Sequence, residues 1–156
     1  MQMRQPSSLT LAPAHNVQRP FLEKLLSSVG LPIKDLPEDL SGFVLALDGT
    51  EVVGAAGLEP LGETGLLRSF AVDPAYRNLG LGRQLYEAVQ SRARAAQFPE
   101  LWLITNTAEA YFQAMGFERQ DRESAPVAVQ AHPQFTGLCP TSAAVMRKAL
   151  SINDLN

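Results

Sequence analysis

The run Arg77-Asn78-Leu79-Gly80-Leu81-Gly82-Arg83 constrains this chain more than any other stretch. Before it, Gly65 to Val72 is rich in apolar and strand-compatible residues and is closed off by Asp73-Pro74. After it, Leu81, Leu85, Val89, Ala93 and Ala96 recur at helical spacing. A strand, a tight glycine-containing loop and a helix N-terminus together make an anion cradle. The first helical N–H groups have no intrahelical acceptor, and the helix dipole adds partial positive charge. Glycines at 80 and 82 let the main chain approach a phosphate without an intervening Cβ. A pyrophosphate-bearing molecule is the expected guest.

Two other phosphate loops do not fit. The Gly-x-Gly-x-x-Gly fingerprint fails because position 85 is Leu, and a P-loop needs Gly-Lys-Ser/Thr where this chain has Gly82-Arg83-Gln84.

A length of 156 residues suits one domain, expected to span 1–156. At 46% hydrophobic and 19% charged residues, the composition is that of a globular chain rather than a disordered one. A net charge of −3 gives no electrostatic footprint for nucleic acid, and the basic cluster Arg83, Arg92 and Arg94 lies along one helix. The single cysteine, Cys139, rules out an internal disulfide framework and suits a reducing compartment. Met1–Ser8 lacks an apolar signal core, and no stretch approaches a membrane span. The expectation is a soluble, cytoplasmic protein without a membrane or nucleic-acid partner.

Patterning predicts a strand at Ser8–Ala12 and a helix capped by Asn16 running to about Val29, with Gly30 after its end. A second short helix or turn is expected at Pro37–Leu40. Strands Gly42–Leu47 and Glu51–Leu58 are joined by the hairpin signal Asp48-Gly49. A turn over Leu61–Gly65 leads into the strand ending at Val72. The long helix should run from about Gly80 to Gln97, followed by a strand at Leu101–Thr105 and a helix at Thr107–Met115. A short helix near Val127–Gln130 and a last strand at Ala143–Leu150 complete the reading. The strand–helix–strand crossover implies one parallel pair inside an otherwise antiparallel sheet.

The pattern Arg-x-x-Gly-x-Gly, preceded by Val72-Asp73-Pro74-Ala75-Tyr76, resembles the acetyl-CoA-binding motif of the GCN5-related N-acetyltransferases. Ala110-Tyr111-Phe112-Gln113-Ala114-Met115-Gly116-Phe117 is similar to the helix end of that family, where glycine caps and the aromatic packs back. The resemblance covers about Ser8 to Leu150. It implies a mixed α/β fold, mostly antiparallel, with one parallel pair splayed at a cofactor slot and helices on both faces. Glu59-Pro60, Leu67-Arg68-Ser69 and the tail Leu138-Cys139-Pro140-Thr141-Ser142-Ala143 further resemble a bacterial subgroup associated with arsenic-resistance operons, whose members are described as amino-acid-like N-acetyltransferases.

On that resemblance, Arg77, Asn78, Leu79, Gly80, Leu81, Gly82 and Arg83 hold the pyrophosphate of acetyl-CoA. The main chain of Phe70, Ala71 and Val72 pairs with the pantetheine arm like an added strand. Asn106 and Thr107 are polar neighbours of the arm, or equally turn and N-cap residues. Many relatives use a tyrosine four residues before the Gly-Phe glycine to protonate the leaving thiolate; here that position is Phe112, which has no proton to give. Tyr111 is the named candidate, about 100° around the helix; the alternatives are solvent, which is preferred, or a tyrosine with only a packing role. Glu59 is the candidate base, through a water, with an exposed hairpin glutamate as the alternative. Arg68 either receives a substrate carboxylate bidentately or makes a surface ion pair. Cys139, His15 and His132 show no nucleophile–base setting: the cysteine reads as structural, and His132-Pro133 reads as loop. Trp102 reads as core or cofactor wall. No metal ligands are assigned. Direct transfer to a small amine is expected, with a non-catalytic acyl-CoA-binding module or a peptide N-acetyltransferase as rivals and a homodimer as a possible assembly.

Overall fold

A computed structural model describes residues 9–138 and 142–150. Its elements are β1 (Leu9–Pro13), α1 (Arg19–Ser28), β2 (Phe43–Asp48), β3 (Glu51–Leu61), β4 (Thr64–Val72), α2 (Leu81–Ala95), β5 (Glu100–Thr105), α3 (Glu109–Gln113), β6 (Glu118–Gln120), α4 (Val127–Gln130) and β7 (Ala144–Ala149). The strands hydrogen-bond in the order β1-β2-β3-β4-β5-β7-β6, with the expected parallel pair at β4–β5. Its register is Gly65 with Leu101 and Leu66 with Trp102. Ser8 and Cys139, both named above, lie outside the described residues, as do Pro140 and Thr141 of the tail signature.

The chain divides into two compact units, one comprising residues up to 58 with 69–91, the other 59–68 with residues from 92 onward. In the first, β2 and β3 pair antiparallel through the Gly49-Thr50 turn, with Asp48 opposite Glu51. Seven consecutive residues of β3, Val52–Leu58, are buried, the signature of a strand covered on both faces. Leu22, Leu25 and Leu26 of α1 join Leu40, Phe43, Leu45, Ala55 and Ala71 in one apolar cluster. Gly54 admits the helix α2: a Cβ there would lie 3.0 Å from Leu85 Cδ1, so only hydrogen fits without a shift.

Helix α1 starts at Arg19 rather than after an Asn16 cap. Pro20 lacks an N–H and is tolerated only in the first turn, which fixes the start beside it. Asn16 Oδ1 instead accepts the N–H of Leu40 at 2.9 Å. Helix α2 stops two residues short of the expected Gln97, because Gln97 itself adopts φ +62. It closes the end through Gln97 N–H to Arg94 C=O and Phe98 N–H to Ala93 C=O, a termination that glycine usually performs.

In the second unit, β5 and β6 flank β7, both antiparallel to it. Leu66, Trp102, Ala125, Val129 and Val145 form its apolar cluster, with Leu61, Ile104 and Phe135 against it. The strand β6 was not anticipated; its three residues are too few and too polar to show alternation. Helix α3 is five residues long rather than nine. At its start Thr105 Oγ1, not Asn106 or Thr107, accepts the N–H of Ala108 at 3.1 Å. At its end Gly116 N–H reaches Gln113 C=O and Phe117 N–H reaches Phe112 C=O, each at 3.0 Å, and Gly116 takes φ +99. The aromatic rings of Phe112 and Phe117 meet edge-on at 5.8 Å, the apolar contact that accompanies such a cap.

Candidate functional site

The loop between β4 and α2 is built by local bonds that follow from its sequence. Asp73 Oδ1 accepts the N–H of Ala75 at 2.9 Å, the Asx turn that Asp-Pro favours. Tyr76 is 1% exposed, and its hydroxyl donates to Asp48 Oδ2 at 2.5 Å, tying the loop to the β2 end. Arg77 Nε donates to the Val72 carbonyl at 3.2 Å. Asn78 and Gly80 both take the left-handed conformation, φ +67 and +79. Left-handed residues set into a turn bring successive N–H groups to line one concavity, the geometry of anion nests.

The first helical bond of α2 is Gln84 N–H to Gly80 C=O at 3.2 Å, so the amides of Leu81, Gly82 and Arg83 precede the helical ladder. Leu81, Leu85 and Val89 bury the opposite face at 2%, 0% and 0% exposure. Arg77, Asn78, Gly80 and Arg83 are exposed, and Leu79 and Gly82 are half-buried. A Cβ at Gly80 would meet nothing within 4 Å, so the space beside the loop is open. Orphan amides, two exposed guanidinium groups and open volume fit a diphosphate.

Upstream, β4 contains an unforeseen irregularity: Ser69 sits at φ +53 in mid-strand. A non-glycine residue in this region costs energy and turns the local backbone out of the regular pleat. The expected pantetheine strip, Phe70, Ala71 and Val72, follows immediately, with Ala71 buried and its neighbours half-buried. Asn106 is exposed in the bend after β5.

The second group of side chains comes together in the other unit. Glu59 lies inside β3, because the turn is the pair Gly62-Glu63 and the strand runs to Leu61. Its Oε1 accepts from Arg68 Nη1 at 2.6 Å and stands 3.1 Å from His132 Nε2. The side chains of Arg68 and His132 are 0% and 3% exposed, that of Glu59 25%. Arg68 is not a surface ion pair: its guanidinium is buried, and Nη1 meets the carboxylate of Glu59.

Burial alone raises the pKa of Glu59, but hydrogen bonds from His132 and Arg68 outweigh it and leave the carboxyl below its ordinary 4.5. The folded protein therefore binds the Glu59 proton less readily than the unfolded chain. The pair's contribution is fully present above the unfolded value and is lost as pH falls through the folded one. Wild type should exceed Glu59→Gln by about 1–2 kcal/mol at neutral pH, and the gap should close as the pH drops below 4.5. Urea denaturation of both proteins across pH checks this; a gap independent of pH removes the ion pair.

His132 is the residue that sequence reasoning missed. It follows α4, where its N–H donates to Val129 C=O at 3.1 Å and its C=O accepts from Phe135 and Thr136 at 2.8 and 3.1 Å. Nothing in His132-Pro133 signals a partner 73 positions earlier; only the fold brings Glu59 to it. Tyr111 is 43% exposed, its ring edge-on to Phe112 at 5.4 Å, while Phe112 is held in the core by the Gly116 cap. Among the described residues, no cluster of three His, Cys, Asp or Glu groups forms a metal site, and no helix is long and apolar enough to cross a membrane.

Comparison with known proteins gives the family and the fold. Curated relatives include amino-acid acetyltransferases of Pseudomonas syringae pv. syringae, 34% identical over 79 residues, and of Azotobacter vinelandii, 33% identical over 95 residues. These matches cover 49% and 60% of this chain but only 18% and 22% of the relatives, so the chain spans about a fifth of their length. Among solved structures, N-acetylglutamate synthase from Neisseria gonorrhoeae, complexed with coenzyme A and L-arginine, has a similar fold at TM-score 0.78 and 17% identity, covering 91% of this chain and 33% of that one. A GNAT-family acetyltransferase from Staphylococcus aureus superposes at TM-score 0.77 and 18% identity, covering 92% and 100% of the two chains. The sequence pattern described as the acetyltransferase (GNAT) family matches residues 11–117. That match takes in both the loop at 77–83 and the strand bearing Glu59, and the chain belongs to the GNAT acetyltransferase family.

Proposed function

We propose that this chain transfers an acetyl group from acetyl-CoA to the amine of a small molecule, an amino acid or an analogue of one, by direct transfer in a ternary complex. The observation that carries the reading is the left-handed Asn78 and Gly80 leading into the unladdered amides of Leu81–Arg83. The amides, with Arg77 and Arg83, neutralise the diphosphate. The backbone of Phe70, Ala71 and Val72 pairs with the pantetheine arm beyond the Ser69 kink, and Asn106 is assigned to cofactor binding. The partial relatives, named amino-acid acetyltransferases, support the acceptor class.

Glu59 is the proposed base, acting through water. Arg68 fixes that carboxylate instead of meeting the substrate's. Solvent protonates the departing thiolate, since Phe112 has no proton to give and Tyr111 is turned to the surface. Tyr111→Phe should therefore cost less than about tenfold in kcat; a loss of several hundredfold reinstates the tyrosine as acid.

Calorimetric titration with acetyl-CoA, followed by free-thiol release against a panel of amino acids, their arsenical and phosphinic analogues, and peptides, tests the whole reading. Binding without turnover on any amine favours a non-catalytic module. Turnover on peptides alone favours a protein N-acetyltransferase. Preference for arsenical amino acids supports the arsenic-resistance subgroup.

A further inference from the structure

We propose that His132 is a positioning residue for Glu59: its Nε2–H, together with Arg68 Nη1, immobilises Oε1 and leaves Oε2 as the oxygen presented to the acceptor. This rests on the reading of Glu59 as base, and it gives a role to a residue that the sequence marks only as loop.

The hydrogen-bond network assigns the tautomer. The N–H of Gln134 donates to His132 Nδ1 at 3.1 Å, so Nδ1 is an acceptor and the ring proton sits on Nε2. Nε2 is 3.1 Å from Glu59 Oε1 and 3.4 Å from Arg68 Nη1. Two donors cannot bond each other, so both converge on the single oxygen Oε1. The backbone around the ring is equally fixed: His132 N–H is bound to Val129, and its C=O receives Phe135 and Thr136. Val129 and Phe135 are in turn seated in the apolar cluster with Leu66 and Trp102.

The imidazole is therefore held at both nitrogens and buried, 5% exposed as a residue. It is not placed to exchange protons with solvent or substrate directly. What it can do is remove rotational freedom from a carboxylate whose side chain is a quarter exposed. A positioned acceptor matters because small misplacements of a reacting group are costly in rate.

His132→Leu removes the donor and retains apolar bulk, whereas His132→Gln keeps an amide N–H near the Nε2 position. The leucine variant should lose about 10- to 100-fold in kcat, with the acetyl-CoA Kd unchanged. The glutamine variant should recover to within about threefold of wild type. Independently of turnover, carboxyl NMR should show the Glu59 midpoint moving up in His132→Leu and returning in His132→Gln. Ring nitrogen shifts of the wild-type protein should report the Nε2–H tautomer.

An unmoved Glu59 midpoint in His132→Leu, or an Nδ1–H tautomer in the wild type, overturns the proposal. Equal loss in both variants does so as well, since it marks a purely structural cap of the Gln134 turn. Should His132→Leu not fold, the wild-type tautomer and the glutamine variant decide. Should no amine be acetylated, the functional reading fails while the NMR arms still decide the pairing.

Discussion

Gly82→Trp is expected to weaken acetyl-CoA binding by at least about 100-fold, some 2.7 kcal/mol, with the thermal midpoint within a few degrees of wild type. Gly82 is in the first turn of α2, half-buried, among the amides that precede the ladder. An indole there fills the volume a diphosphate needs and screens the neighbouring N–H groups. The fold should tolerate it, because helix interiors disfavour glycine and the buried face of α2 is carried by Leu81, Leu85 and Val89. Gly80 is the poorer choice of site, since its φ of +79 would add backbone strain to any side chain. Calorimetry with acetyl-CoA, beside a thermal melt, separates lost binding from lost structure. Wild-type affinity in a folded Gly82→Trp protein removes the loop assignment and the proposed function with it.

The geometry of the loop before α2 was legible because each of its parts is written in local chemistry. Asp73-Pro74 sets the turn, glycine supplies one left-handed position, and helical periodicity begins at once with Leu81. The hairpin at Gly49 and the capped helix end at Gly116 were legible for the same reason. The parallel pairing of β4 with β5 also followed, since a strand–helix–strand crossover through α2 demands it. What stayed hidden is determined at a distance or by unlikely residues. Ser69 and Gln97 adopt left-handed backbone that their side chains do not advertise. Pro60 and Gly62 look like a turn after Leu58, yet the strand continues through Glu59 to Leu61. Arg68 reads as exposed when charged residues are assumed to face water, while its side chain is fully buried against a partner. His132 could be found only from the fold, because its role is defined by a strand 73 residues away.

Glu59→Gln is expected to lower kcat by about 10²- to 10³-fold while leaving acetyl-CoA binding intact. The size of the effect follows from when the proton moves. An α-ammonium group titrates at about 8, while Glu59 lies below 4.5. Taking a proton directly from the free ammonium would thus be uphill. Glu59 is accordingly suited to accept the proton as the nitrogen attacks and its acidity rises, passing it through water to solvent. A carboxylate held ionised by Arg68 and His132 is ready for that relay at any neutral pH. The ratio of wild-type to Glu59→Gln rates should therefore stay constant between about pH 6 and 9, with both profiles following the acceptor's own titration. Glutamine preserves the shape and one hydrogen-bond acceptor toward Arg68, so the loss should appear in turnover rather than in KM for acetyl-CoA. A ratio near one at every pH would show that the proton leaves without this carboxylate. A ratio that collapses only below neutrality would place the essential titration on another group.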